Sequence, residues 1–141
     1  MGRRRVLLIA MAALVLAAAA ALLLLPWGGG APPQRVACQD LHQGCAMRLD
    51  GRELTVGVSG ELRALQAFEL WVRAAGARRV EARFDMVEMN MGFNLYTLRP
   101  DAEGVFRARV TLPVCVSGRR DWLMTLEVDG RRVEVPFSTE L

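Results

Sequence analysis

The chain has no lysine; all 18 of its basic residues are arginine. Arginine codons are GC-rich, so this absence reflects codon usage rather than chemistry. Histidine occurs once, at His42. With one histidine there is no Ser-His-Asp set carrying a readable signature, and no glycine-rich phosphate loop occurs either. No Cys-x-x-Cys pair stands beside a thioredoxin-like pattern, which argues against a thiol redox enzyme. Together these absences remove the common hydrolase, nucleotide-binding and thiol-exchange classes, and the chain reads as a non-enzyme.

An excess of charge of either sign is missing from most of the chain. The formal net charge is +3, and Arg3, Arg4 and Arg5 account for it. The 15 arginines after them balance 15 acids. A neutral remainder offers no basic footprint for nucleic acid or anionic lipid.

Polar side chains are absent altogether from residues 6–25, VLLIAMAALVLAAAAALLLL. Twenty apolar residues in a helix rise about 30 Å, the thickness of a bilayer hydrocarbon core. The three arginines before the run fit a cytoplasmic flank, and Trp27 after it is an aromatic of the kind that settles at the interface. A cleaved signal peptide is the alternative. Its apolar region is usually shorter, about 7–15 residues. The alanines at 17–21 could mimic a cleavage site, but leucines follow them, and Gly30 and Ala31 offer a later one. Both routes put the rest of the chain outside the cytoplasm. The expected organisation is a cytoplasmic stub and transmembrane anchor over 1–27, a Gly/Pro linker over 28–35, and an extracytoplasmic domain over 36–141. The expected location is the inner (cytoplasmic) membrane, single-pass, with the domain on the periplasmic side. About 105 residues suffice for one small domain.

From Ala46 onward the hydrophobic period is two. Leu54, Val56 and Val58 alternate with small or polar residues, and so do Phe68, Leu70 and Val72. Val80, Ala82, Phe84 and Met86 follow the same rule, as do Phe106, Ala108, Val110 and Leu112. Trp122, Met124, Leu126 and Val128 continue it, then Val133, Val135 and Phe137. Asp50-Gly51 and Asp129-Gly130 are hairpin signals. Seven or eight short strands with turns every 8–12 residues predict an all-β fold, an immunoglobulin-like antiparallel sandwich behind one N-terminal transmembrane helix. Phe68, Leu70, Val72, Phe84, Phe106, Val110, Trp122, Leu126 and Val135 should share one core. Residues 61–67 read equally as a helical turn or a loop.

Three cysteines occur, Cys38, Cys45 and Cys115, and an oxidising compartment makes a disulfide the expectation. Three single pairings exist. Cys38–Cys45 is favoured because short loops close readily; a staple from either to Cys115 is the alternative. His42 lies between the first two in CQDLHQGC, a possible metal loop, although Cys-x6-Cys matches no standard zinc spacing.

The densest unusual segment is FDMVEMNMGFN, with Met86, Met89 and Met91 inside six residues. Thioethers are soft, neutral ligands that suit Cu(I). On an extended strand Met89 and Met91 would point to one face, with Met86 a third ligand if the chain bends and His42 a further one if folding brings it near. The competing reading is packing, since methionine fills irregular gaps and Met86 continues a buried phase.

The run Met86-x2-Met89-x-Met91-Gly92, then Gly104-x-Phe106-x-Ala108-x-Val110-x-Leu112-Pro113, then Gly118-x3-Trp122, resembles the YtkA-like and FixH-like exported domains. The resemblance spans about a third of the chain. It implies a small immunoglobulin-like sandwich behind a membrane helix, and a role in copper handling or in assembly of respiratory haem-copper oxidases. The partners it implies are the membrane and a respiratory oxidase or copper chaperone. Met86, Met89 and Met91 carry over as candidate ligands. The chain departs from the pattern where a proline is usual between the methionines, having Glu88 or Asn90, and in adding Cys115. The competing reading is a structural interaction module of a membrane complex that holds no metal.

Overall fold

A computed structural model describes residues 2–24, 32–89, 92, 94–114 and 118–140. Trp27, the linker residues 28–31, Met91 and Cys115 lie outside the described residues. The chain divides into two compact units, Met1–Ala31 and Pro32–Leu141.

In the first unit, α1 covers Gly2–Leu24. Its stretch Gly2–Ala21 has a mean hydropathy of 2.0 and none of it is buried. By length and composition it can cross a membrane, a property that anchors and signal sequences share.

The second unit is a nine-stranded, mostly antiparallel sheet, curled until it is nearly closed and barrel-like. The strands are β1 (Gln34–Arg35), β2 (Cys45–Leu49), β3 (Arg52–Ser59), β4 (Ala67–Ala74), β5 (Val80–Met86), β6 (Leu95–Pro100), β7 (Phe106–Thr111), β8 (Asp121–Val128) and β9 (Arg131–Ser138). Their spatial order is β1-β9-β8-β5-β6-β7-β4-β3-β2. One strand exceeds the upper expectation. Gln34 and Arg35 were assigned to the linker, but they pair parallel with Val133 and Glu134, and this unit begins at Pro32 rather than Val36. Two residues are too few to show a period, and their partners lie about a hundred positions away.

The alternation seen in the sequence sorts the side chains as expected. All nine residues assigned to the core are buried, none more than 4% exposed. They join one cluster lined by the inner faces of all the longer strands. Phe84 is its aromatic hub, meeting Phe68, Tyr96 and Phe137 edge-on at centroid distances of 6.3, 5.8 and 6.1 Å. Such arrangements set the positive ring edge against the negative face.

The Asp-Gly pairs make the β2–β3 and β8–β9 turns. Asp50 and Gly51 have φ of 48° and 81°, Asp129 and Gly130 48° and 84°. Positive φ at both central residues is the type I′ geometry whose twist matches that of the flanking strands. Residues 61–67 contain no helix; they hold a bridge at Arg63 and a turn.

β6 carries the curl. Its first residues pair with β5, whereas Arg99 and Pro100 pair with β7. Where β6 leaves β7, the Tyr96 hydroxyl donates to the Thr111 carbonyl at 2.9 Å and accepts the Thr111 N–H at 3.2 Å. One side chain thus replaces a rung of the ladder.

Candidate functional site

Antiparallel register places the candidate residues. β3, β5, β7 and β9 finish at the end of the domain where β2, β4, β6 and β8 begin. This end carries the segments 36–44, 60–66, 87–94 and 112–120. Of the residues singled out by the sequence, the described ones, Cys38, His42, Cys45, Met86 and Met89, belong to these segments or border them. The opposite end carries only short connections.

Cys38 and Cys45 are joined by a disulfide, with Cα atoms 5.8 Å apart. The favoured pairing is the one formed, so the alternative staples to Cys115 do not use these two sulfurs. The disulfide closes an eight-residue loop that is pinned from inside. Leu41 is 5% exposed, and its carbonyl accepts N–H groups from Gly44 at 3.2 Å and Val58 at 2.9 Å. Asp40 organises the turn: its carboxylate accepts the His42 N–H at 2.8 Å. That bond, more than any other effect, holds the Asp40 carboxyl below its ordinary pKa.

His42 is exposed. Its Nε2 lies 2.9 Å from the Gly60 carbonyl and its Nδ1 3.4 Å from Asp40 Oδ1. A carbonyl can only accept, so Nε2 is the protonated nitrogen that donates to it. This leaves Nδ1 as the ring's only lone pair when neutral, and that lone pair faces a carboxylate. No group of three or more His, Cys, Asp or Glu side chains gathers in metal-holding geometry among the described residues.

The methionines separate. Met86 is the last residue of β5 and is 2% exposed, in phase with Val80, Ala82 and Phe84. Met89 is 46% exposed. The strand premise for Met89 fails: β5 ends at Met86, and a tight turn follows in which the Met89 N–H donates to the Met86 carbonyl at 3.0 Å. Glu88 has φ of 64°, the left-handed conformation that lets the chain reverse so tightly. The bend that Met86 needs is thus present, and the backbones of Met86 and Met89 bridge each other across the turn.

Two hollows open at this end. An open groove of about 540 Å³ is lined by Cys38, Asp40, His42, Val87, Trp122 and Phe137 among others. A second hollow of about 280 Å³ has Met86, Trp122 and Pro113 on its apolar side and Arg63, Arg119 and Arg120 on its rim. Trp122 is 1% exposed and packs in the core; the arginine–tryptophan stack of this domain is Arg73 on Trp71, at 5.2 Å.

Two residues of this end escaped the sequence reading. Asp40 passed as a loop acid, although an Asp two residues before a turn position is a known Asx-turn former. Asn94, at the entry to β6, is 8% exposed, and its Nδ2 has no hydrogen-bond partner among the described residues. Its carbonyl accepts the Phe84 N–H at 3.0 Å, so it sits opposite an inward-facing ring. No sequence signal marks a buried amide in a loop.

The chain matches no protein-family model, no curated protein and no solved structure. Its function is read from its own residues.

Proposed function

We propose that the chain is a membrane-anchored accessory protein. On this reading α1 is a single-pass anchor in the cytoplasmic membrane. The β unit is an immunoglobulin-like sandwich on the periplasmic side, with β4–β7 and β5–β8 as central pairs of its two sheets. Met89, together with Met91, holds Cu(I) for delivery to, or assembly of, a respiratory oxidase. Met86 drops out of the ligand set, because a side chain 2% exposed in the core is packing.

The observation that carries the reading is the exposure of Met89. Methionine used as filler is buried, as Met86 is. Met89 is 46% exposed on a turn whose backbone hydrogen bond and left-handed residue fix its position. A soft, neutral sulfur held in solvent suits Cu(I) in a compartment where thiols oxidise. The disulfide supports that compartment, since such bonds persist outside the cytoplasm. His42 contributes only if it gives up Gly60 or Asp40.

The test is Cu(I) competition titration of the full chain in detergent against a chromogenic chelator. Wild type should hold about one copper. The Met89→Leu/Met91→Leu variant should lose it while keeping its fold, because leucine is nearly isosteric with methionine. If wild type and variant ignore copper alike, the interaction-module reading replaces this one. The open groove beside His42 supports that second reading, as a concave surface with no gathered ligand set.

A further inference from the structure

The neutrality of the exported part conceals a separation of charge between its two outer faces. On the β2-β3-β4-β7 side the outward positions include Arg48, Arg73, Arg107 and Arg109, against Glu53 and Glu69. Arg99, paired to Arg107 by register where β6 joins β7, adds a fifth arginine. On the β1-β9-β8-β5 side the outward acids Glu81, Asp85, Asp121, Glu127 and Glu134 face Arg83 and Arg132, and Arg35 and Arg79 pair with Glu134 and Glu81 at 2.8 Å each. Strand alternation thus gathers an excess of arginine on one face and leaves the other near balance. The sum of charges therefore excluded an anionic-lipid footprint that their distribution supplies.

The basic face is also aromatic at its centre. Trp71 lies opposite Gly57 in the β3–β4 register. A Cβ built at Gly57 would run into the indole ring, and one at Gly44 would come within 2.8 Å of it. The two glycines thus leave a seat on which the indole lies against the sheet. The Arg73 guanidinium covers the ring at 5.2 Å. Arg107 is bound to Glu69 and Asp101 at 2.7 and 2.8 Å. Arg99 and Arg109 are exposed and have no carboxylate partner among the described residues.

We infer that this face is a docking surface for the anionic headgroups of the bilayer that holds the anchor. The inference rests on the anchored reading of α1. Nine residues, 25–33, separate α1 from β1, and a chain of that length spans at most about 30 Å. A face bearing arginines around a tryptophan matches a surface of phosphates above an apolar layer, where both residue types settle. Each arginine near such a surface strengthens the attraction about fivefold, and the effect decays within a Debye length of about 8 Å at physiological salt.

The test places the full chain in nanodiscs of zwitterionic lipid, or of the same lipid with a third phosphatidylglycerol. Hydroxyl-radical footprinting read by peptide mass spectrometry reports Trp71 apart from Trp27 and Trp122. Trp71 oxidation should fall several-fold in the anionic discs and recover in 0.5 M salt, while Met89, at the loop-bearing end, stays equally reactive in both. Arg99→Glu/Arg109→Glu should abolish the protection; neither residue forms an ion pair or stacks on Trp71, and circular dichroism checks the fold. Equal Trp71 oxidation in both discs overturns the proposal, even if an acidic protein is later found on this face. Failure of the chain to enter discs of either kind overturns the anchored reading, and this proposal with it.

Discussion

The two ends of the β domain are built differently. At one end, the aspartates of the turns are spent on structure. Asp129 receives Arg52 at 2.8 Å and the backbone N–H groups of Arg78 and Arg79 at 3.0 Å each. Asp101 receives the N–H groups of Glu103 and Val105 at 2.9 Å and the Arg107 guanidinium at 2.8 Å. Asp50 pairs with Arg131 at 2.9 Å. At the other end the connections are longer, and they carry the disulfide, the histidine, the exposed thioether and both hollows. The short turns here are closed by their own side chains, and the hollow of about 230 Å³ among them is lined by charges already paired to one another, Arg52 with Asp129 and Arg131 with Asp50. Long segments pinned at a few points, as Leu41 pins the disulfide loop, can present side chains to solvent without unravelling.

If the shared core is what lets the ends differ, its hub should matter most. Phe84→Ala should cost about 3–5 kcal/mol in urea unfolding, since the cavity left among Phe68, Tyr96 and Phe137 cannot fully collapse. A cost under about 1 kcal/mol would mean that the two faces do not meet at this ring, a result far below the range for such truncations.

The loop end should owe its stability to the disulfide more than to ion pairs. Closing eight residues removes chain entropy worth about 2.5 kcal/mol from the unfolded state. Cys38→Ala/Cys45→Ala should lower the unfolding midpoint accordingly. An unchanged midpoint would show that Leu41 and its two hydrogen bonds hold the loop alone.

The turn end should be the acid-sensitive one. The Asp129 carboxyl is lowered from 3.8 to about 2, chiefly by Arg52 and then by the two backbone N–H groups. Its folded-state pKa lies below the unfolded one, so its contribution is full above about pH 4 and is lost as pH falls through about 2. Asp101 is shifted in the same direction by Arg107. Unfolding midpoints measured from pH 5 to pH 2 should fall more steeply in wild type than in Asp129→Asn. Parallel curves would show that the Asp129 pairings leave pH-dependent stability unaffected.

The contrast between the ends follows what sequence can and cannot carry. Period two assigned the inward face of every long strand, and the Asp-Gly pairs marked two turns, because both signals are local. β1 was missed because its pairing lies in β9. The fifth arginine of the basic face was invisible for a related reason: Arg99 joins Arg107 only after β6 changes partner. The alternation from Val80 to Met86 showed the buried phase of Met86, and the bend needed after it is made at Glu88, in the left-handed conformation. The extension assumed for Met89 failed because no local signal marks a left-handed glutamate. Spacing favoured the Cys38–Cys45 bond but left its alternatives open, and geometry closed them.

The smallest change in stability should come with the most specific change in binding. Met86 and Met89 are three residues apart, and their backbones bridge across one turn. Met86→Leu is a volume-conserving change in a packed core and should cost less than about 1.5 kcal/mol. It should leave any bound copper in place, since a side chain 2% exposed is held by core packing. Met89→Leu alters a half-exposed side chain and should shift stability by no more than about 0.5 kcal/mol. Yet it removes the one exposed methionine among the described residues of the β unit, and Cu(I) affinity should fall at least tenfold. The pair forms an internal control, with the same chemistry and the same neighbourhood but opposite burial. Equal loss of copper in both variants would show that the turn opens to recruit Met86, and that its burial here is a resting state. Loss in Met86→Leu alone would reverse the division between filler and ligand on which the comparison of the two methionines stands.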